Sequence, residues 1–294
     1  MRFAWTDDQL AFRDVVRDLL AKGAEWSDLD AMGVPSVLVP EAEGGLGLDE
    51  LFLVPVLEEA GRVALALPLM ETALVAAPLG VTGRMVTASW RDEPTPWAAD
   101  VEAVVLVGDD AVRLVEAPEV EPLASVDPQR RLGRVRGAAT TLTDDVALTF
   151  DRAVLGTAAQ LVGLAHAMLD LAVAHVVDRH QFGVPIGSFQ AVKHHLANAR
   201  ISIEFAAPAV ARAAWSVAND QPTRGRDVSM AKALATDAGS VTGRAALQCH
   251  GAIGYTVEHD LHLHLKRSWA LARSWGDRTF HADRVGRSIG ATSA

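Results

Sequence analysis

Two short segments in the second half of the chain combine residue types that could bind an anion and a flat ring together. Residues 179–190 read RHQFGVPIGSFQ, and residues 248–255 read QCHGAIGY. Arg179 suits bidentate phosphate binding, Phe182 can pack on a ring, and Gly183 permits a close approach of the backbone. These residue types predict a binding site for a phosphorylated ligand that also carries an aromatic ring.

The amide side chains and glycines of both segments extend this predicted site. They can form hydrogen bonds or allow close backbone contact, and they comprise Gln181, Gln190, Gln248, Gly251 and Gly254. Two helices that carry such groups could hold a dinucleotide without a Rossmann sheet. A simpler interpretation stays open, in which the charge of Arg179 stabilises a helix C-terminus while Phe182 and Phe189 lie in the core.

The remaining reactive residue types favour neither a metal site nor a hydrolase. Histidines are frequent in the second half, at His194, His195, His259, His262 and His264. No HExxH or CxxC spacing accompanies them, so the sequence predicts no metal site. Cys249 and His250 are adjacent, which directs their side chains apart on a helix. The GxGxxG, P-loop and GxSxG patterns do not occur, which argues against doubly wound nucleotide-binding folds and serine hydrolases.

Composition and charge limit the class of protein further. Of the 294 residues, 50% are hydrophobic and 22% are charged, which is typical of a globular chain with a substantial core. The net charge of -10 disfavours a nucleic-acid partner. The single cysteine excludes an internal disulfide, and the sequence predicts neither a signal peptide nor a membrane-spanning helix. We therefore expect a cytoplasmic protein without a membrane partner.

The chain divides into three predicted regions that would position these residues. Residues 1–80 are expected to form an N-terminal helical domain that begins with a capping box between Thr6 and Gln9. Residues 81–150 are expected to form a reduced β domain, with a loop over 116–122 and a strand pair or extended arm over 140–150. Residues 151–294 are expected to form a four-helix bundle, with helices over 153–178, 189–217, 228–249 and from His259 towards Trp275. The predicted fold class is mainly α.

The two binding segments resemble the acyl-CoA dehydrogenase family. The segment RHQFGVPIGSFQAVKHHLAN is similar to that family's RxxFGxxIxxFQxVxxxLA pattern. The segment QCHGAIGYTVEHDLHLHLKR is similar to its QxxGGxGYxxExxLxxxxRD pattern, with Ala252 in place of a second glycine, and SVDPQRRLGRVR resembles the end of its β domain. The resemblance covers most of the chain and implies a helical domain, a β domain and a four-helix bundle, usually assembled as tetramers.

The resemblance also implies an activity and a cofactor. Members of this family bind FAD and remove two hydrogens from the α and β carbons of an acyl-CoA thioester, with a Glu as the base and flavin N5 as the hydride acceptor. Carried over by motif, Arg179 would contact the FAD diphosphate and Phe182 would pack at the adenine end. In this family, the adenine half of each FAD lies on the helical bundle of a neighbouring subunit. The further contacts of this chain to that half would be Gln181, Gln190, Gln248 and Gly251.

Two departures from the family pattern set this sequence apart. Gly276 stands where the usual catalytic Glu is expected, and a glycine cannot accept a proton. Asp277 is adjacent, and Asp151 lies near a second place that some relatives use for the base, although each is also typical of a solvated carboxylate near a helix end. The family's flavin-facing loop is shortened, and only residues 92–94 still resemble it.

Together these departures predict a subunit of a heteromeric acyl-CoA dehydrogenase. The chain would supply the adenine-side contacts to FAD, while a Glu-bearing homologue would supply the base and the flavin platform in an α2β2 heterotetramer. Paired enzymes of this kind act in actinobacterial steroid side-chain degradation, so a bulky acyl-CoA such as a steroid thioester is the substrate hypothesis. Two alternatives stay open: a self-sufficient enzyme with Asp277 or Asp151 as base, and a non-enzymatic helical scaffold or acyl-CoA-binding module.

Overall fold

The first region of the computed structural model, which describes residues 4–291, is helical. Its helices are α1 Asp7–Leu20, α2 Trp26–Ala31 and α3 Glu50–Arg62, followed by a π-helical turn over Glu71–Ala76. Thr6 caps α1, because its hydroxyl accepts from the Gln9 N–H at 3.3 Å while Gln9 Oε1 accepts from the Thr6 N–H at 2.9 Å. The predicted capping box is confirmed.

A small β region of short strands follows. Its strands are β1 Val86–Trp90, β2 Ala103–Val107, β3 Val112–Glu116, β4 Glu119–Pro122, β5 Gly133–Arg136 and β6 Ala139–Thr143. The strands β1, β2, β3 and β6 form one sheet in that order, with β1 parallel to β2, while β4 pairs with β5. The prediction of a loop over 116–122 is wrong, because pairing with the distant β5 imposes a strand on residues of low intrinsic strand preference.

The C-terminal half is a bundle of helices. It comprises α4 Val146–Asp178, α5 Gln190–Ala218, α6 Arg224–His250, α7 Leu261–Arg273 and α8 Arg278–Ser288, with a short hairpin, β7 His180–Gln181 and β8 Val184–Pro185, between α4 and α5. The boundary expected between residues 150 and 151 falls inside α4. That helix begins at Val146 because Asp145 caps it, accepting from the Leu148 N–H at 3.3 Å. The strand or arm expected over 140–150 is therefore limited to β6, and α8 has no counterpart among the predicted helices.

Glycines allow the N-terminal helices to pack closely against the bundle. A Cβ atom added at Gly163 of α4 would lie 1.9 Å from the carbonyl oxygen of Glu58. A Cβ atom added at Gly61 of α3 would lie 2.2 Å from the carbonyl oxygen of Gln160. Any larger residue at either position would push α3 and α4 apart, so these two glycines fix the N-terminal region on the bundle.

The helix α4 lies at the centre of the core. It is long and apolar enough to cross a membrane by length and composition, but 61% of its most apolar window is buried inside the protein. Its buried face packs against α3, α5 and α6, as expected for the core helix of a bundle. The order of a helical region, a small β region and a helical bundle confirms the predicted fold class.

Candidate functional site

The hairpin between α4 and α5 presents the first predicted cluster. α4 ends at Asp178, and the Arg179 N–H donates to the His175 carbonyl oxygen at 2.9 Å. The turn holds Phe182 at φ 54° and Gly183 at φ 81°, the left-handed pair that a two-residue β-hairpin turn favours. Phe182 is 91% exposed, so its ring is displayed at the tip of the hairpin. The interpretation of Phe182 as a core residue is wrong.

The other predicted contacts of the first cluster surround this tip. The rings of Phe182 and Phe189 lie 6.2 Å apart in an edge-to-face arrangement. Gln190 is exposed in the first turn of α5, while Gln181 donates through Nε2 to the His180 carbonyl oxygen at 2.8 Å. Within residues 4–291, the exposed guanidinium of Arg179 makes no ion pair, which leaves it available to an anion.

The second predicted cluster lies where α6 ends. Gln248 is exposed in the last turn of α6, and Gly251 follows the helix at φ 61° and ψ -136°. Essentially only glycine adopts this backbone conformation, so Gly251 is required to turn the chain here. The next residues form a short 3-10 turn that leaves the Tyr255 ring exposed.

Three histidines bring the two clusters together. The ring of His175, on α4, stacks on that of His250 at 4.4 Å, and the His259 ring meets the His250 ring edge-on, also at 4.4 Å. Because His175 lies one helical turn before Arg179 and His250 lies between Gln248 and Gly251, both clusters share one surface. We call this surface, from the hairpin to Gly251 and His259, the hairpin end.

The hairpin end contains a shallow cavity of about 360 Å³. It is lined by Leu171, Ala174, His175, Asp178, Arg179 and His259. Burial lowers the pKa of His175 and of His250, because it disfavours the charged imidazole. Within the described residues 4–291, no group of three or more His, Cys, Asp or Glu side chains is arranged to hold a metal ion.

Sequence reasoning missed the histidine contacts. The local sequence suggests His259 only as a possible metal ligand, and it assigns His175 and His250 to no site. One signal was available, because His175 and Arg179 are four residues apart and therefore share one face of a helix. The contact with His259 joins segments distant in sequence, and no local pattern predicts it.

At the other end of α4, Gly276 occupies a closed turn between α7 and α8. It adopts φ 88°, and a Cβ atom added there would lie 2.5 Å from Phe280 Cδ1. The Phe280 ring belongs to an aromatic cluster in which it lies 5.1 Å from Trp90, while Phe150 lies 4.9 Å from Trp90 and 6.3 Å from Trp275. We call residues 275–277 the Gly276 turn. The three atoms nearest to that Cβ position all belong to the Phe280 ring, so a side chain at position 276 would require this ring to move.

The two aspartates predicted as alternative bases both have structural partners. Asp277 caps α8, since its Oδ1 accepts from the Phe280 N–H at 2.9 Å. Asp151 is 1% exposed and forms ion pairs with Arg224 at 2.9 Å and Arg284 at 2.8 Å. These contacts hold both carboxylates in fixed positions and account for both residues without a catalytic role.

A buried lysine and a partly buried glutamate, which sequence reasoning missed, fix the Gly276 turn. Lys232 of α6 is fully buried, and its Nζ donates to the carbonyl oxygens of Ala272 at 3.3 Å and Gly276 at 3.2 Å. Glu93, from the reduced loop of the β region, accepts from the Trp275 N–H at 3.1 Å. Burial lowers the pKa of Lys232 to about 7, and burial also raises the pKa of the Glu93 carboxyl.

Comparison with known proteins agrees with these features. The profile described as "Acyl-CoA dehydrogenase, C-terminal domain" matches residues 145–290. A protein of Mycolicibacterium smegmatis, "Acyl-CoA dehydrogenase IpdE2", is 34% identical over 267 residues, which cover 84% of this chain and 81% of that protein. Its namesake in Mycobacterium tuberculosis is 32% identical over 260 residues, covering 83% of this chain and 79% of that protein.

Solved structures show the same fold. A chain of the ChsE4–ChsE5 complex from Mycobacterium tuberculosis matches with a TM-score of 0.88 at 23% identity, covering 100% of both chains. A chain of the Tcur3481–Tcur3483 steroid ACAD matches with a TM-score of 0.85 at 23% identity, covering 98% of this chain and 99% of that one. Together with the identity to IpdE2 over most of both sequences, these findings show that the chain belongs to the acyl-CoA dehydrogenase family.

Proposed function

We propose that this protein is a subunit of a heteromeric FAD-dependent acyl-CoA dehydrogenase, which desaturates an acyl-CoA thioester between its α and β carbons. The chain contributes contacts to the adenine and diphosphate half of FAD and contributes no catalytic base. The observation that carries this proposal is Gly276. The residue at the usual position of the base has no side chain, and the Phe280 ring occupies the space beside it.

The hairpin end fits the half of FAD that we assign to it. Its unpaired Arg179 guanidinium suits a diphosphate, and the exposed ring of Phe182 suits the flat face of adenine. Gly251 brings backbone close to the same surface without a side chain in the way. When bound, FAD supplies the hydride acceptor of the reaction, and this chain's residues hold and orient its non-reacting half.

The carboxylates around the Gly276 turn support the assignment of the base to another polypeptide. A general base must come within hydrogen-bond distance of the proton that it removes. Asp277 caps α8, Asp151 is paired with two arginines, and Glu93 accepts from the Trp275 N–H. A partner homologue with a Glu at the position of Gly276 would supply the missing group.

The length of α4 supports a cofactor shared between subunits. The Gly276 turn contacts the start of α4 through Phe150, and the hairpin end contacts its last turns through His175. At the rise of an α-helix, Phe150 and His175 lie about 38 Å apart along the axis. One FAD cannot reach from the hairpin end to the Gly276 turn of the same chain. The flavin held by this hairpin end therefore lies in a different subunit.

Exposed apolar side chains on α4, the hairpin and α5 support association with a partner. The rings of Phe182 and Phe205 are 91% and 69% exposed, and Val177 and Ile201 are also exposed. Val177 and Phe182 lie near the hairpin, and Ile201 and Phe205, four residues apart, share one face of α5. Exposed apolar patches can mark interaction surfaces. We propose an α2β2 heterotetramer with a Glu-bearing homologue. The paired nature of ChsE4–ChsE5 and the steroid activity named for Tcur3481–Tcur3483 favour a bulky acyl-CoA, such as a steroid thioester, as its substrate.

Co-production with a Glu-bearing acyl-CoA dehydrogenase encoded nearby tests the proposal. We expect a yellow complex that contains one FAD per unlike pair, measured by flavin absorbance after denaturation, and that oxidises acyl-CoA. The Arg179→Ala variant should reduce the FAD content several-fold, because it removes the charge that binds the diphosphate. Arg134→Ala, which removes an exposed arginine of the β region, should leave the FAD content unchanged and serves as the control.

Two results would count against the proposal. If the pure chain alone bound stoichiometric FAD and oxidised acyl-CoA, it would be a self-sufficient enzyme. If the complex formed but its FAD content did not change in Arg179→Ala, a non-enzymatic scaffold or acyl-CoA-binding module would be favoured instead.

A further inference from the structure

The wall of the cavity at the hairpin end is formed by nitrogen donors from two different elements. His175 lies in the last turn of α4, Arg179 is the first residue after that helix, and His259 lines the same cavity from the segment before α7. Within residues 4–291, the ring nitrogens of His175 and the guanidinium of Arg179 have no hydrogen-bond partner. The cavity of about 360 Å³ thus combines three unsatisfied or partly satisfied donor groups.

The hydrogen bonds of His259 determine which of its nitrogens can donate. The Leu261 N–H donates to His259 Nδ1 at 3.1 Å, so Nδ1 carries the lone pair. The neutral ring therefore carries its proton on Nε2, and Nε2–H is free to donate. His175 carries one N–H in either neutral tautomer. Both rings can donate to a ligand without first becoming charged.

His250 holds the other two rings in place. Its Nδ1 lies 2.8 Å from the Ala246 carbonyl oxygen, which can only accept, so Nδ1 carries the proton. The ring is 6% exposed, is stacked by His175 and is met edge-on by His259, while the rings of His175 and His259 lie 6.4 Å from each other, also edge-on. Its Nε2 is buried without a partner. A buried ring that contacts both of the rings lining the cavity orients both of them.

The charged residues that line the cavity are Asp178, at the end of α4, and Arg179, which follows it, and their charges are opposite. The histidines add N–H donors to the single cation. Burial lowers the pKa of His175, and repulsion from His259 and Arg179 lowers it further. The negative charge of Asp178 raises the pKa of His175. A bound polyanion would act in the same direction as Asp178 and favour the protonated imidazoles.

We propose that His175 and His259 bind the diphosphate of an adenine dinucleotide together with Arg179, as three donors around one anion. This inference rests on the proposed function, because it assigns two additional ligand-binding residues to the same surface. Arg179 supplies the permanent charge, and the histidines supply directed N–H groups from α4 and from the segment before α7. His250 is a positioning residue, since it acts through the other two rings.

Binding of the diphosphate is coupled to proton uptake. A bound anion raises the pKa of the imidazoles that contact it, because it stabilises their charged form. When the bound form has the higher pKa, ligand affinity rises as the pH falls through that pKa and reaches a plateau below the pKa of the free form. The affinity should therefore increase from pH 8 to pH 6, and removal of the two imidazoles should abolish most of this dependence.

Titration of the chain with ADP, which contains the adenine and the diphosphate, tests the inference by calorimetry at several pH values. The terminal phosphate of ADP gains a proton in this pH range, so the wild type is compared with the double variant His175→Phe/His259→Asn, which retains the pH dependence of the ligand itself. We expect the double variant to bind about tenfold more weakly than the wild type at pH 6, and the ratio of the two affinities to be about fivefold smaller at pH 8. Phe retains the ring that stacks on His250, and Asn retains an acceptor for the Leu261 N–H.

Matched variants separate this inference from the proposed function. His195→Asn removes an exposed imidazole from α5 that does not line the cavity, and it should behave as the wild type. If Arg179→Ala weakens ADP binding at every pH but the double histidine variant keeps wild-type affinity and pH dependence, the role of the histidines is refuted while the FAD site stands. If the wild type fails to bind ADP, or if Arg179→Ala has no effect, the inference fails with the site on which it rests.

Discussion

The hairpin end and the Gly276 turn lie at opposite ends of α4 and differ in almost every physical property. At the hairpin end, a cation is unpaired, an aromatic ring is 91% exposed and histidine nitrogens face a cavity. At the Gly276 turn, rings pack against one another and buried charges bond to the backbone. The hairpin end has the features of a surface that binds a ligand and a partner. The Gly276 turn has the features of a packed interior.

Under the proposed function, this difference would allow one chain of an oxidoreductase family to keep part of its cofactor site without a base. In an oligomer where a dinucleotide lies across two subunits, each end of α4 serves a different ligand molecule. The side chains at the hairpin end are then still needed to bind FAD, even if the Gly276 turn has no role in the reaction. The Gly276 turn, once free of a reacting group, can be packed as ordinary core, where filling space stabilises the fold.

The largest change in stability is expected from Lys232→Ala, which tests the contacts of the Gly276 turn. The substitution removes the donor to the carbonyl oxygens of Ala272 and Gly276, leaves a void where a fully buried side chain packed, and removes one of the two cations that stabilise the Glu93 carboxylate. Breaking such a buried set costs about 4 kcal/mol in the free energy of unfolding. Urea denaturation measures the loss, and Lys22→Ala, an exposed lysine after α1, should change stability by less than about 0.5 kcal/mol.

A second variant, Gly276→Glu, places a carboxylate at the usual position of the base. We expect about 3 kcal/mol of destabilisation, because a side chain at φ 88° is strained and its Cβ atom lies too close to Phe280. We also expect no dehydrogenase activity in the chain alone, because the Phe280 ring occupies the space that the new side chain would need.

Gly23→Ala provides a matched control for this variant. Gly23 has φ 82°, but a Cβ atom there meets nothing within 4 Å, so it reports the backbone strain without the clash. Its cost should be about 1 to 2 kcal/mol, which is clearly smaller. Recovery of activity in Gly276→Glu without loss of stability would show that the Gly276 turn is an intact active site that lacks only one side chain.

A third prediction concerns acid sensitivity near the Gly276 turn. His281 is fully buried, with Nε2 at 3.0 Å from the Trp275 carbonyl oxygen, and burial lowers its pKa to about 3. The unfolded chain binds this proton near pH 6.5 and the folded chain does not, so stability is present above pH 6.5 and is lost as the pH falls towards 3. His281 alone should remove about 2 kcal/mol between pH 6.5 and pH 5.

Thermal denaturation at the two pH values measures this slope. The His281→Gln variant should lose stability at neutral pH but show a smaller decrease on acidification than the wild type. The exposed His195 provides the control, and His195→Gln should retain the full decrease. An equal slope in wild type and His281→Gln would place the acid-sensitive group elsewhere.

The contrast between the two ends also separates what the sequence could predict from what it could not. Arg179, Phe182 and Gly251 were assigned from local patterns, because the chemistry of a cation, a ring and a glycine depends on residue type and short spacing. The prediction that Gly276 replaces the usual base is equally local, and it stays a prediction. These residues needed only the correct order of helices to reach their positions, and the helical periodicity of the chain supplied that order.

The parts that sequence reasoning missed depend on contacts between distant segments. Lys232 and Glu93 are 139 positions apart, and a lysine inside a helical pattern is ordinarily a surface residue. His175 and His259 meet only because α4 and the segment before α7 pack around His250. The start of α4 was placed too late because a cap by Asp145 outweighed the strand-like composition of the preceding residues.

The smallest expected change in stability belongs to the hairpin end and sharpens the comparison most directly. Phe182 is exposed, so Phe182→Ala should change the free energy of unfolding of the isolated chain by less than about 0.5 kcal/mol. The same variant should weaken the complex with the Glu-bearing homologue by about tenfold, because an aromatic anchor at an interface contributes more than 1 kcal/mol to binding. Val126→Ala, an exposed apolar residue of the β region, is the control for both measurements. Sedimentation of the mixed subunits measures the loss of affinity between them. A Phe182→Ala variant that was less stable but assembled normally would show that the ring stabilises the fold and not the interface.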